Sequence, residues 1–250
     1  MALFALTNQK GGSGKTTTAV NLAAALADRG RRVLLVDLDP QASATRWLGI
    51  SADNRLLLDM LTHELPLDDA IRPSAAAGVD VVPSSSWLVG IDKALAGEVG
   101  AETILRSQLT PIAAGYDYCF IDCPPALGIL TVNALAAAEG VLVPVEAHVM
   151  ALAGLAELVR TVEVVRERLN PGLAISGIIA CRVNRTRHAR EVLEQLHQHF
   201  AGLVLETCIR ENIRLAEAPS FSLPITAYDP QSIGAADFRA LAHEIIGREK

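Results

Sequence analysis

Aromatic side chains are scarce, at 4% of the 250 residues, so the chain has little with which to stack bases. Any nucleic acid would have to be held by its phosphates instead. The four cysteines (Cys119, Cys123, Cys181 and Cys208) form no C-x-x-C pair. Three of them lie in apolar runs expected to be strands, which favours buried, reduced thiols over a metal or redox site. Polar or charged residues interrupt every apolar stretch before the ~18 needed to span a bilayer, and no charged leader precedes a cleavable segment. A cytoplasmic protein without membrane attachment is expected. Positive charge is not in excess either: the formal net charge is −6, with arginine far outnumbering lysine. Binding to a polyanion would therefore need a local basic patch and would be salt-sensitive. No repeat, linker or low-complexity segment marks a boundary, and a chain that is 50% apolar can bury a large core as one domain over residues 1–250.

What is present is a stretch around which the rest is organised, Lys10-Gly-Gly-Ser-Gly-Lys-Thr-Thr17, lying between the apolar run Ala2 to Thr7 and a helical pattern from Lys15. Gly11, Gly12 and Gly14 allow a tight turn whose N–H groups, with Ser13 and Thr17, face a phosphate at a helix N-terminus. Lys15 is placed to reach β- and γ-phosphates, and the Thr16 hydroxyl to ligate Mg²⁺. The commoner loop has glycine where this chain has Gln9, so the match is to a variant with a lysine, Lys10, near its start.

Apolar periodicity predicts strands over Ala2 to Thr7, Arg32 to Leu38, Val79 to Pro83, Tyr116 to Asp122, Gly140 to Val145, Ile175 to Cys181 and Leu203 to Cys208. The run Val33-Leu-Leu-Val36 is continuous, as in a parallel strand covered on both faces. Helices are predicted over Lys15 to Arg29 with Gly30 as the stop, then Leu56 to Leu61, Pro66 to Ile71, from Trp87 behind a serine cap, and Glu102 to Leu109. Four more are predicted over Ile129 to Ala138, Ala151 to Leu169, Ala189 to Phe200 and Ala235 to Ile246. This alternation predicts an α/β, doubly wound, mostly parallel sheet with helices on both faces. Ligands on such a sheet bind beyond the carboxyl ends of the strands, where the loop, Asp37, Asp39, Asp122 and Asn184 all fall. Asp122 ends an apolar strand, as a water-mediated Mg²⁺ ligand or simply as the start of a turn. Asp37 and Asp39, two residues apart, are expected on one face beside the phosphates, or else as a solvated pair. Arg182, Arg185, Arg187 and Arg190 cluster near one helix start, and Arg210 and Arg214 in a later loop. They form either a phosphate-binding patch or a solvated face paired with Glu191 and Glu194. Phe238, Leu241, Ile245 and Ile246 read as core packing, and His197 and His199 as solvent-facing.

Several segments together resemble the ParA/MinD family of ATPases, and its ParA/Soj partition branch in particular. The loop K-G-G-S-G-K-T-T resembles that family's deviant Walker A. Val36-Asp-Leu-Asp-Pro-Gln41 resembles its second motif, Phe120-Ile-Asp-Cys-Pro-Pro125 its Walker B strand, and Arg214-Leu-Ala-Glu-Ala-Pro-Ser220 with Tyr228-Asp-Pro230 its carboxy-terminal signature. The resemblance spans nearly the whole chain. It implies ATP and Mg²⁺ as ligands, Lys10 crossing a dimer interface to the partner's nucleotide, Asp39 positioning the attacking water, Asp37 near the metal shell, and Asn184 at the adenine. It further implies an ATP-dependent homodimer that holds duplex DNA non-specifically through Arg185, Arg187 and Arg214 and associates with the nucleoid. A ParB-like centromere-binding partner would stimulate otherwise slow hydrolysis. Because the first strand starts so near the amino terminus, the helix-turn-helix region of larger relatives is not expected, nor transcriptional autoregulation. Three rival readings are a dethiobiotin-synthetase-like ligase, an iron-protein-like reductase and a positioning ATPase for a protein cargo. The Ala-Pro-Ser signature argues against the first, and the cysteine positions against the second.

Overall fold

The computed structural model describes residues 1–147 and 151–248; the side chains of residues 151–153 are not part of this description. In chain order the elements begin with β1 (Ala2–Leu6), α1 (Lys15–Ala27), β2 (Val33–Asp37), α2 (Ser43–Trp47), α3 (Leu56–Leu61), α4 (Leu67–Ala70), β3 (Arg72–Pro73) and β4 (Val79–Val82). They continue with α5 (Ile91–Ala94), α6 (Ile104–Leu109), β5 (Tyr118–Asp122), α7 (Ile129–Ala137), β6 (Gly140–Glu146), α8 (Ala151–Arg168) and β7 (Ala174–Cys181). The last are α9 (Arg187–His199), α10 (Ile213–Glu217), α11 (Ile225–Tyr228) and α12 (Ile233–Arg248).

The strands form one sheet in the order β3-β4-β2-β5-β1-β6-β7. All pairs are parallel except the short edge strand β3. Alternation along β2 shows why its apolar run is continuous. Val33 and Leu35 join a core with residues of α1 and α12, whereas Leu34 and Val36 join a second core with residues of α7 and α8. Both faces are therefore covered, as the uninterrupted hydrophobic run requires. Gly30 (φ 79°) ends α1, its N–H donating to the Ala27 carbonyl. In the central strand β5, Phe120 is fully buried and stacks between Phe4 (centroids 5.9 Å apart) and Tyr118 (6.1 Å). Phe120→Ala is expected to cost about 3–5 kcal/mol, a fall in melting temperature on the order of 10 °C. Circular dichroism melts would test this, and a change of only a degree or two would show that the neighbouring rings refill the gap.

Two predicted elements differ. Leu203 to Cys208 is not a full strand: its one bridge to β7 is the isolated pair Ile178 to Val204. The Glu244 carboxylate on α12 takes the N–H groups of Glu206 and Thr207, both at 2.9 Å, and draws the segment out of the ladder. The helix expected from Trp87 is a single 3-10 turn, Ser86–Leu88, with no serine cap bond. Gly90 (φ 93°) then breaks the chain before α5. Phe238, Leu241 and Ile245 on α12 are buried, as expected of core packing, and His197 and His199 are exposed. Glu249 and Lys250, which follow that helix, lie outside the described residues. Among the described residues, no helix is long and apolar enough to cross a membrane. The four cysteines are free thiols, three of them buried and Cys208 half-buried.

Candidate active site

The loop between β1 and α1 lies beyond the carboxyl ends of the parallel strands, where the first turn of α1 points its N–H groups outward. Gly14 has φ 94°, a backbone that side chains rarely adopt, and a Cβ there would meet Cys181 Sγ at 3.4 Å. Conformation and packing together explain a glycine at that position. The start of the loop is braced by Asn8, which the sequence reading did not single out. Its amide donates to the Pro144 carbonyl (2.8 Å), its side-chain oxygen accepts from Lys10 N (3.0 Å), and its main-chain oxygen accepts from Lys15 Nζ (3.1 Å). Lys15 is buried, whereas Lys10 is half-exposed and pairs with Glu146 at 3.2 Å.

Asp37 and Asp39 gather around Asp122, itself beside Lys15, and the three carboxylates differ in their partners. Asp37, at the end of β2, accepts from Asp39 N (3.1 Å), Thr45 N (2.9 Å) and Thr45 Oγ1 (2.7 Å), so both its oxygens are engaged by protein donors. Asp37 was expected near the metal shell; the structure uses it to fasten the turn after β2 to α2. Asp39, past the strand end, lines the cavity, and its Oδ1 accepts from Gln41 N at 2.9 Å. Asp122, at the end of β5, is fully buried, and neither carboxylate oxygen has a hydrogen-bond partner. Burial first, and then the charge of Asp37, push its carboxyl well above the usual range; Thr16 and Lys15 oppose this. Thr16 lies near enough to favour the charged form without making a formed hydrogen bond. Such an orphaned carboxyl fits a cation or its water shell, which would favour its charged form. Among the described residues, no group of three or more His, Cys, Asp or Glu is arranged to hold a metal alone. Thr16 and Asp122 therefore suit an ion shared with phosphates, as is usual for Mg²⁺.

Burial also pushes the Asp37 carboxyl up to about 6, although its bonds from Thr45 and Asp39 favour the charged form. The fold thus holds this proton more tightly than the unfolded chain does. The resulting stability is complete below about pH 4 and is lost as pH rises through about 6. In nucleotide-free protein, Asp37→Asn should flatten the decline in melting temperature between about pH 5 and pH 7.5. A slope identical to that of the parent would overturn this assignment.

A cavity of about 840 Å³ runs from the loop past Asp39 and Gln41 to a wall formed by Ile209, Arg210, Asn212, Leu215 and Phe238. Its size suits a nucleotide. Comparison with known proteins agrees with this geometry. A family profile described as an AAA domain matches residues 1–175. The chromosome partitioning protein ParA of Myxococcus xanthus (strain DK1622) is 42% identical over 250 residues, covering 99% of this chain and 88% of that protein. The sporulation initiation inhibitor protein Soj of Bacillus subtilis (strain 168) is 43% identical over 246 residues, 97% of each. The chain belongs to the ParA/Soj family. A solved structure of cobyrinic acid a,c-diamide synthase from Mycobacterium smegmatis, with bound ATP analog and magnesium, matches with a TM-score of 0.87 at 32% identity, covering 98% of this chain and 94% of that one.

In this ParA/Soj chain the remaining expected residues are more scattered. Asn184 does not line the cavity; its side-chain oxygen accepts from Thr186 Oγ1 (2.6 Å) and Thr186 N (3.3 Å), in the turn before α9. The wall opposite the loop comes instead from residues 209–216 and Phe238. Arg185 and Arg187 are exposed at the start of α9, which Thr186 caps by accepting from Ala189 N. Arg187 pairs with Glu191 at 2.8 Å, the contact anticipated for a solvated helix face. Arg214 is held by Glu217 (2.8 Å) and Asp229 (3.5 Å). The bridge between Val183 and Arg210 sets the two arginine-bearing loops side by side.

Proposed function

We propose that this ParA-type ATPase dimerises when it binds ATP, holds duplex DNA without sequence preference, and releases it on hydrolysis to move a DNA cargo. The observation that carries the reading is the orphaned Asp122 carboxylate beside Lys15 and Thr16, under a glycine loop that opens into a nucleotide-sized cavity. In this reading the loop N–H groups of residues 11–17 cradle the phosphates and Lys15 bonds the terminal ones. Thr16 directly, and Asp122 through water, would hold Mg²⁺, which when bound neutralises charge on the β- and γ-phosphates. Asp39 orients the attacking water, and Lys10 supplies positive charge to the nucleotide of the second copy. The base lies against Ile209, Leu215 and Phe238, displacing the earlier expectation for Asn184. Arg185, Arg187 and Arg214 contact phosphates on DNA, as charge-based binding by an otherwise acidic protein requires. A ParB-like partner accelerates turnover, and the protein works in the cytoplasm on the nucleoid.

Sedimentation of Asp39→Ala protein in ATP and in ADP, with and without duplex DNA at two salt concentrations, tests the reading. The expected result is a dimer that binds DNA only with ATP and lets go in high salt. A monomer indifferent to DNA in both nucleotides would sink it and favour small-molecule phosphoryl chemistry on the same loop.

A further inference from the structure

Glu146, the last residue of β6, bridges two cations beside the start of the phosphate loop: Oε2 lies 3.2 Å from Lys10 Nζ, and Oε1 lies 3.4 Å from a guanidinium nitrogen of the cavity-lining Arg182. Each cation has its own carboxylate oxygen. The backbone puts Arg182 there deliberately. Ile209 N donates to the Ala180 carbonyl, and the Ile209 carbonyl accepts next from Val183 N, so Cys181 and Arg182 form a bulge in the ladder. Arg182 has φ 53°, a left-handed conformation that a non-glycine residue adopts only under constraint. The bulge turns Cys181 onto the loop at Gly14 and Arg182 toward the cavity, which it lines.

This arrangement bears on how Lys10 could leave, and so rests on the reading that Lys10 serves the nucleotide of a second copy. Departure of Lys10 from a lone ion pair would strand a half-buried carboxylate, and the resting pair would hold the lysine back. With Arg182 on the other oxygen, the carboxylate stays neutralised after Lys10 leaves, and the guanidinium repels the ammonium beforehand. We propose that Arg182 is a positioning residue that keeps Glu146 occupied, so that Lys10 can be handed from its own chain to the partner's phosphates.

The test measures ATP-dependent dimerisation by sedimentation in an Asp39→Ala background, together with monomer affinity for a fluorescent ATP analogue. Arg182→Ala should weaken dimerisation about fivefold at low salt, the scale of a partly exposed ion pair, and the deficit should shrink at high salt. Adding Glu146→Gln, which removes the carboxylate both cations share, should abolish the deficit. Arg182→Lys should restore most of the dimer, whereas Arg182→Gly, which relieves the backbone but lacks the charge, should match alanine. Unchanged dimerisation in Arg182→Ala, or a deficit that persists in the Glu146→Gln background, would overturn the proposal. Lys10→Ala separates this from the underlying reading. If it weakens the dimer and Arg182→Ala does not, the proposal alone fails; if neither does, both fail.

Discussion

Lys15→Ala is expected to lower affinity for MgATP on the order of a thousandfold, the loss that follows when one partner of a buried charge cluster is removed. The ammonium is buried, donates to the Asn8 carbonyl at 3.1 Å, and opposes the charges that push up the Asp122 carboxyl. Without it, Asp39 at the cavity wall and the buried Asp122 lie beside the incoming triphosphate with no lysine to offset them, and the phosphates meet repulsion. The nucleotide-free fold should suffer much less, because Asp122 can take up a proton instead of remaining an unpaired anion. The two readouts, titration with a fluorescent ATP analogue and thermal melting without nucleotide, should therefore separate. An affinity within about tenfold of the parent would mean that the phosphates do not sit over Lys15.

The parts of the molecule legible in the sequence are those whose physics is local. The Gly-rich turn, the lysine inside it and the Ala- and Leu-rich helix behind it report on one another across a few residues. Continuous apolar runs such as Val33 to Val36 announce a strand covered on both faces. The segment Leu203 to Cys208 has the same apolar signature, yet its hydrogen bonding is decided by Glu244, whose carboxylate claims two of its N–H groups from far along the chain. Helices α2, α10 and α11 are four or five residues long and too short to show a period. Asp37 and Asp39 looked like equals by spacing, but the strand ends at Asp37 and Thr45 returns to claim its carboxylate. Only Asp39 remains turned toward the cavity. The Glu146 bridge joins residues from three separate stretches and leaves no trace in any of them. A signal for Asn8 did exist: an amide side chain directly after β1, at the start of a phosphate loop, can brace the turn by its own backbone contacts.

That division between Asp37 and Asp39 sets the second large effect. Asp39→Ala should reduce ATP turnover by about a hundredfold or more, within the range lost when a positioned proton acceptor is removed, while ATP affinity stays within about threefold of the parent. The substitution is local because the main chain at this position is fixed independently of its carboxylate. Asp39 N donates to Asp37 Oδ1 at 3.1 Å, and the Asp39 carbonyl accepts from the Ser84 hydroxyl at 2.7 Å. Only the bond from Gln41 N is lost. Removing one anion from the rim of a polyphosphate site opposes binding less, so any change in affinity should favour the variant. Asp37→Ala offers the contrast: it strips three donors of their acceptor and should lower stability first, with lost turnover following from a loosened α2. Single-turnover assays beside equilibrium nucleotide binding distinguish the two. If Asp39→Ala protein turns over normally, Asp37 is no substitute, since its oxygens are already occupied, and the group that orients the water would have to come from the second copy across the cavity mouth.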